Sequence, residues 1–299
     1  MKGLVSEEQL VQLEQETGYS SLFLKLCLQR GLQTKEEIEN FLHPSIEELN
    51  DPLKMHDMKK AVSRINRALI GGEKITIYGD YDADGVTSVV TLLDTLNMLG
   101  ANVDYVIPHR TKDGYGPNLA RFQEIVETGT TLIITVDNGV AGSEPIEWAM
   151  NQGVDVIVTD HHELPERLPK AYAIVHPMHP DGEYPFKELA GVGVAFKLAT
   201  AILGEVPYEL LDLVAVGTIA DLVSITDENR VLVQQGLRVL NHTDRIGWQA
   251  IFSIAGLHME EIDEQLVGFQ IAPRINAAGR LDDASLVVEL LTTWNETEA

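Results

Sequence analysis

The stretch Ile75-Thr-Ile-Tyr-Gly-Asp-Tyr-Asp-Ala-Asp-Gly-Val-Thr-Ser88 joins two elements across a run of acids. Ile75, Thr76, Ile77 and Tyr78 are β-branched or aromatic and predict a strand. Asp80, Asp82 and Asp84 follow at alternate positions, and Gly85 opens a helix carried by Val86, Val89, Val90, Leu92 and Leu93. Carboxylates this close in sequence repel one another unless a cation sits among them, and a divalent metal meets that need. Helix capping accounts for one of the acids, or two at most. Calcium in an EF-hand loop is excluded on two counts. The twelfth position, where that loop needs a bidentate Glu, is Thr91, and the preceding segment is a strand rather than a helix.

Downstream, strand and helix alternate. Apolar strand segments fall at about 75–79, 103–107, 131–136, 154–159 and 171–175, with helical patterns at about 86–99, 117–128 and 143–151. This predicts an α/β, Rossmann-like fold, a parallel sheet with helices on both faces, whose ligands bind beyond the carboxyl ends of the strands. The first strand ends in Asp80, Asp82 and Asp84, the third in Asp137-Asn138-Gly139, and the fourth in Asp160-His161-His162. Any one of these is a plausible turn or cap residue, but jointly they predict a shared site on one rim.

The flanking segments carry weaker signals. Residues 1–57 have helical periodicity, with Thr34 to Glu37 as a capping box, and are expected to pack on the main domain without chemistry of their own. Residues 58–299 form the main domain, with a sheet core over about 73–180 and a helical portion over about 188–299. Gly191-Val-Gly193 invites a dinucleotide-loop reading, but Phe196 stands in place of the third glycine and no strand immediately precedes it. Asp221, in Gly217-Thr-Ile-Ala-Asp221, is a lone acid in an apolar setting. Pro273-Arg274-Ile-Asn276-Ala-Ala-Gly279-Arg280 sets two arginines beside turn-forming residues, as a solvated loop or an anion clamp.

Composition narrows the function classes. A net charge of −24 opposes nonspecific adsorption to nucleic acid or anionic membrane, so a polyanionic substrate needs positive charge supplied locally. Cys27 is the sole cysteine, which excludes an internal disulfide and a thiolate-rich zinc site. With no leader pattern and no apolar run near the ~18 residues of a membrane span, a cytoplasmic location is expected. There is no P-loop lysine motif and no serine elbow. Carboxylates with imidazoles suit magnesium or manganese, and the nitrogen ligand favours manganese. Two such ions about 3.5–4 Å apart, sharing a carboxylate, predict hydrolysis of a phosphate ester or anhydride.

Gly79-Asp-Tyr-Asp-Ala-Asp-Gly-Val-Thr, Val136-Asp-Asn-Gly, Asp160-His-His and Gly217-Thr-Ile-Ala-Asp221 resemble, in order, the motifs of the DHH phosphoesterase superfamily. Pro108-His-Arg-Thr-Lys-Asp-Gly-Tyr-Gly, Tyr184-Pro-Phe-Lys-Glu-Leu-Ala-Gly-Val-Gly and Pro273-Arg-Ile-Asn-Ala-Ala-Gly-Arg resemble its RecJ-type, single-strand-specific exonucleases. The resemblance implies that Asp82, Asp84, Asp137, His161 and Asp221 bind two manganese ions, or magnesium in their place, with Asp137 bridging. Asp80 is then a ligand or its orienting neighbour, His162 a catalytic phosphate contact, and Arg280 a phosphate clamp. It further implies 5′ to 3′ degradation of single-stranded DNA to mononucleotides in recombination and repair, with single-strand-binding protein and a RecQ-type helicase as partners. Two departures stand out: His176 replaces an expected Asn and Ser224 an expected Pro. The family's second cleft domain and oligonucleotide-binding barrel do not occur in this sequence, so the chain is expected to correspond to the front half of such an enzyme. The competing expectations are a phosphodiesterase for short oligonucleotides or cyclic dinucleotides, and an inactive truncated domain.

Overall fold

The computed structural model describes residues 6–281 and 283–299. The chain divides into two compact units, Met1–Leu49 and Asn50–Ala299. In the first, helices α1 (Glu7–Thr17), α2 (Ser21–Gln29) and α3 (Lys35–Leu42) enclose a small core of Leu10, Leu13, Leu24, Cys27 and Ile38. The capping box forms as expected, with the Thr34 hydroxyl accepting from the Glu37 N–H and the Glu37 carboxylate accepting from the Thr34 N–H.

The second unit opens with α4 (Met58–Gly71) and then alternates through β1 (Lys74–Tyr78), α5 (Ala83–Met98), β2 (Asn102–Val106), α6 (Leu119–Glu127), β3 (Leu132–Val136), α7 (Ser143–Asn151), β4 (Asp155–Thr159) and β5 (Ala173–Val175). The strands form one parallel sheet in the order β2-β1-β3-β4-β5. From β1 the chain crosses to β2 on one side, and later to β3 on the other. The crevice between the ends of β1 and β3 is therefore the topological switch point, where open α/β sheets bind ligands.

Strand alternation sends side chains to two covered faces. Tyr78, Ile133, Val156, Val158 and Ile174 join Phe122 and Ile125 of α6 and Ile146 and Ala149 of α7 in one cluster. On the other face lies α5, which is buried along nearly its whole length and also packs against two later helices, α8 (Gly191–Leu203) and α9 (Leu211–Ala220). Its buried Thr87, Thr91 and Thr95 hydroxyls each donate to the carbonyl four residues earlier, which leaves no orphaned donor among these threonines in an apolar layer. After α10 (Asp227–Leu240), α11 (Ile246–Ala255) and the short α12 (Glu264–Leu266), a π-helical turn Val267–Ile271 runs directly into α13 (Ala272–Leu281), and α14 (Ser285–Thr292) follows.

Two sequence expectations change. Helix α5 begins three residues before position 86, because the Asp82 carboxylate caps it by accepting from the Gly85 N–H at 2.9 Å. Asp84 thus projects from the first helical turn rather than from the strand end. The Pro273–Arg280 segment is helical, not a turn: Pro273 sits inside a continuous helical run, directly after the π-helical turn that interrupts the regular hydrogen-bond ladder. Gly279 serves close packing instead, since a Cβ there would lie 2.3 Å from the Tyr81 carbonyl oxygen.

Candidate metal centre

Four segments converge at the switch point. The β1–α5 turn carries Asp80, Asp82 and Asp84; the β3 end carries Asp137; the β4 end carries Asp160, His161 and His162; and the C-terminus of α9 carries Asp221. Asp137 adopts a left-handed backbone (φ 59°), a conformation that Asp tolerates better than most residues. The turn is fixed by the Thr135 hydroxyl donating to the Asn138 carbonyl at 2.7 Å and by the Asn138 amide donating to the Val136 carbonyl at 2.9 Å.

Asp84 is held from the opposite side. One carboxylate oxygen accepts from the Gly191 N–H at 2.7 Å and the other from the Val192 N–H at 2.8 Å. These amides open α8, where unsatisfied N–H groups and the helix dipole favour an anion. Gly191 must lack a side chain for another reason: a Cβ there would lie 2.3 Å from the Asp137 Oδ1. Gly191, the first of the two glycines that invited a dinucleotide-loop reading, therefore serves two carboxylates, while Gly193 packs against Leu189.

The strongest indication of a cation site is a pair of orphaned atoms. Among the described residues, the Asp137 Oδ1 and the His161 Nε2 are buried without a hydrogen-bond partner, yet they lie 3.1 Å apart. The Asp84 and Asp221 Oδ2 atoms each stand 3.7 Å from the same nitrogen. Burial pulls the His161 pKa down to about 4, so the ring is neutral and offers a lone pair at neutral pH. Burial also pushes Asp80 up to about 7, with Asp82 adding repulsion, and Asp221 up to about 6. Asp84 and Asp137 lie well above the usual carboxylate range, through burial and then through the charges of Asp221 and Asp84 respectively. Such a cluster is costly as bare carboxylates and fits divalent cations, oxygen-rich with one neutral imidazole. Among the described residues, three groups have metal-ligand spacing: Asp80, Asp82 and Asp137; Asp84, His161 and Asp221; and Asp137, His161 and His162, which shares a member with each of the others.

Asp160 has a different task. Its Oδ1 accepts from the His161 and His162 N–H groups at 2.7 and 3.0 Å, and its Oδ2 from the Val140 N–H at 2.9 Å. Despite burial, the hydrogen bond from His162 holds its pKa below the ordinary carboxylate value. That bond, from His162 Nδ1 at 2.8 Å, and the Asp160 charge likewise outweigh burial at the imidazole and raise the His162 pKa. The two imidazoles lie close together, their ring centres 4.5 Å apart and the His162 Nδ1 3.9 Å from the Asp137 Oδ1. What separates them is their partners, since Asp160 occupies the His162 Nδ1 and the His161 Nε2 remains open.

Beside the carboxylates, Arg280 lines a recess of about 280 Å³ with Asp80, Tyr81, Asp82, Arg110, Tyr115 and Asn276. Arg274 does not line it, its guanidinium bonding back to the Gln270 carbonyl at 2.6 Å. Asn276 accepts from the Ala83 N–H at 2.8 Å and so ties α13 to the acidic turn. Arg110 lies over the Tyr81 ring at 5.3 Å. The Tyr115 hydroxyl reaches the His162 Nε2 at 3.0 Å. Arg110 and Tyr115 were missed as site residues because they lie in a loop without periodicity, and only the Pro108–Gly116 resemblance touched them.

Residues 74–218 match the DHH family, N-terminal domain. The chain carries a DHH-family domain over these residues. This DHH chain is 49% identical over 293 residues to the single-stranded-DNA-specific exonuclease RecJ of Bacillus subtilis, a match spanning 98% of this chain and 37% of that protein. Among solved structures, RecJ of Thermus thermophilus in complex with Mn2+ superposes with a TM-score of 0.84 at 33% identity, covering 99% of this chain and 42% of that one. The Mg2+ complex from the same organism gives 0.73 at 31% identity, covering 99% and 39%. The DHH chain thus spans about two fifths of the length of these relatives. Among the described residues, no helix is long and apolar enough to cross a membrane.

Proposed function

We propose that this DHH chain carries the hydrolytic centre of an exonuclease that degrades single-stranded DNA from the 5′ end to mononucleotides. The observation that carries the reading is the meeting of Asp137 Oδ1 and His161 Nε2, buried and unpartnered, inside a ring of carboxylates. Asp80, Asp82 and Asp137 suit one ion and Asp84, His161 and Asp221 a second, with Asp137 between them; manganese is the preferred metal and magnesium the substitute. When bound, such ions neutralise phosphoryl oxygens and acidify an attacking water. The protein groups do the rest. Asp160 accepts from the His162 Nδ1–H and raises the His162 pKa, so that the protonated ring donates from Nε2 where negative charge develops on the phosphate. Arg280 and Arg110 bring positive charge to a recess beside Asp80 and Asp82, suited to clamp a phosphate of the strand.

The similarity to RecJ proteins supports single-stranded DNA as substrate, recombination and repair as the setting, the cytoplasm as the location, and single-strand-binding protein and a RecQ-type helicase as partners. The same similarity disfavours a cyclic-dinucleotide or short-oligonucleotide phosphodiesterase, and the full set of acids and imidazoles disfavours an inert domain. The deciding experiment is manganese-dependent release of mononucleotides from 5′-labelled single-stranded, duplex and dinucleotide substrates. Single strand is expected to be cut in preference to duplex. Faster turnover of the dinucleotide, or no hydrolysis with either metal, overturns the reading.

A further inference from the structure

His176 directly follows β5, the neighbour of β4 in the sheet, and so stands on the same rim as Asp160, His161 and His162. It is 1% exposed, and both ring nitrogens are committed. The Nδ1 accepts from the Met178 N–H at 3.0 Å, which puts the ring proton on Nε2, and Nε2 lies 3.0 Å from the His162 carbonyl oxygen. We propose that His176 is a positioning residue: by donating to the His162 carbonyl it holds the Asp160–His162 turn in the orientation that aims the His162 ring.

Among the described residues, the turn is otherwise fixed through its N–H groups, its ring and the Asp160 carboxylate, which also accepts from the Val140 N–H. Asp160 accepts from the His161 and His162 N–H groups and from the His162 Nδ1, and the Asp160 N–H itself donates to the Val175 carbonyl at 3.3 Å. The His162 carbonyl takes its side-chain hydrogen bond from His176. Without that donor the carbonyl side of His162 loses its anchor, and the Cα that carries the ring gains room to shift. A displacement of about 1 Å in a catalytic group is enough to cost about 100-fold in turnover. The alternative is that His176 only braces its own loop through Met178 and through the His179 N–H, which donates to the His176 carbonyl at 3.2 Å. That role predicts lost stability and nothing else.

His176→Leu fills the space and removes both bonds, whereas His176→Gln and His176→Asn return an N–H donor at two different reaches. Two readouts apply to the whole chain. The first is nitrogen NMR of the His162 imidazole, which reports the Nδ1–H tautomer held by Asp160 and needs neither metal nor DNA. The second is kcat against KM on single-stranded DNA with manganese, which rests on the hydrolytic reading. The Leu variant is expected to broaden or lose the His162 tautomer signal and to lower kcat about 10- to 100-fold with KM within about twofold, while at least one amide variant restores the signal and recovers about tenfold in kcat. An unchanged His162 signal in the Leu variant, or amide variants no better than Leu, overturns the proposal. A chain that hydrolyses no DNA sinks the hydrolytic reading but leaves the NMR comparison to decide the role of His176.

Discussion

At the scale of single residues, the two neighbouring histidines carry different burdens because their partners differ. His161→Ala removes the Nε2 that faces Asp137, Asp84 and Asp221, so manganese binding is expected to weaken, with activity partly restored by excess metal. His162→Ala is expected to keep its metal and its affinity for a single strand while losing about 100-fold in turnover, the usual scale for one such group. Calorimetric metal stoichiometry and kcat on both variants check this, and equal metal loss in the two contradicts it. Protonation supplies a second residue-scale prediction. Asp80, with its pKa raised to about 7, favours the metal-free fold fully below the ordinary carboxylate pKa, and that contribution is lost as pH rises through about 7. Asp221 acts in the same direction up to about 6. His161, lowered to about 4, opposes them only between that value and about 6.5, its ordinary pKa. Metal-free protein is therefore expected to lose thermal stability between about pH 6.5 and pH 8. Saturating manganese should raise the melting temperature more at the upper pH, because fewer protons compete for the carboxylates. Differential scanning calorimetry with and without metal at the two pH values gives the answer.

At the scale of elements, the N-terminus of α8 is the less obvious half of the centre. Gly191→Ala places a methyl 2.3 Å from the Asp137 Oδ1 while leaving the amides that hold Asp84 in the chain. The carboxylate must move, and manganese affinity is expected to fall about 10- to 100-fold, the range seen when groups that orient metal ligands are disturbed. Titration calorimetry with manganese is the check, and wild-type affinity would show that Asp137 has room to yield. This contact also shows why some of the architecture was legible in the sequence and some was not. The strands were readable because their runs of Ile and Val have lengths and boundaries that only buried parallel strands share, and Asp80, Asp137 and Asp160 were readable because sheet geometry sends every strand end to one rim. The part played by Gly191 and Val192 was hidden because a backbone amide has no residue signature, and its partner Asp84 lies more than a hundred positions away. The helicity of Pro273–Arg280 was hidden because Pro and Gly signal turns locally, while here tertiary packing of Gly279 against Tyr81 and the bond from Ala83 to Asn276 favour a helix.

At the scale of the whole molecule, net charge governs how this chain meets a polyanion. A formal charge of −24 makes the surface repel phosphate at long range, and little affinity can come from general counterion release. Binding energy must then be concentrated at the recess that Arg110 and Arg280 line and at the carboxylates proposed to hold metal. Each neutralised phosphate of a single strand contributes about −0.7 to the slope of log K against log salt, so a two-arginine contact predicts a slope of only about −1 to −2. Broad basic grooves that track many phosphates give much steeper values. Fluorescence anisotropy with a labelled single strand, titrated across salt at fixed manganese, measures this slope. Arg280→Ala is expected to make it shallower by about 0.7 and to leave manganese stoichiometry unchanged. The same concentration of charge at one point predicts that residues 1–299 by themselves release nucleotides distributively, dissociating between cuts. A trap of unlabelled strand added after the first turnover should therefore stop further release, whereas continued degradation through the trap, or a steep salt slope, would show that the acidic surface conceals a longer strand-binding track.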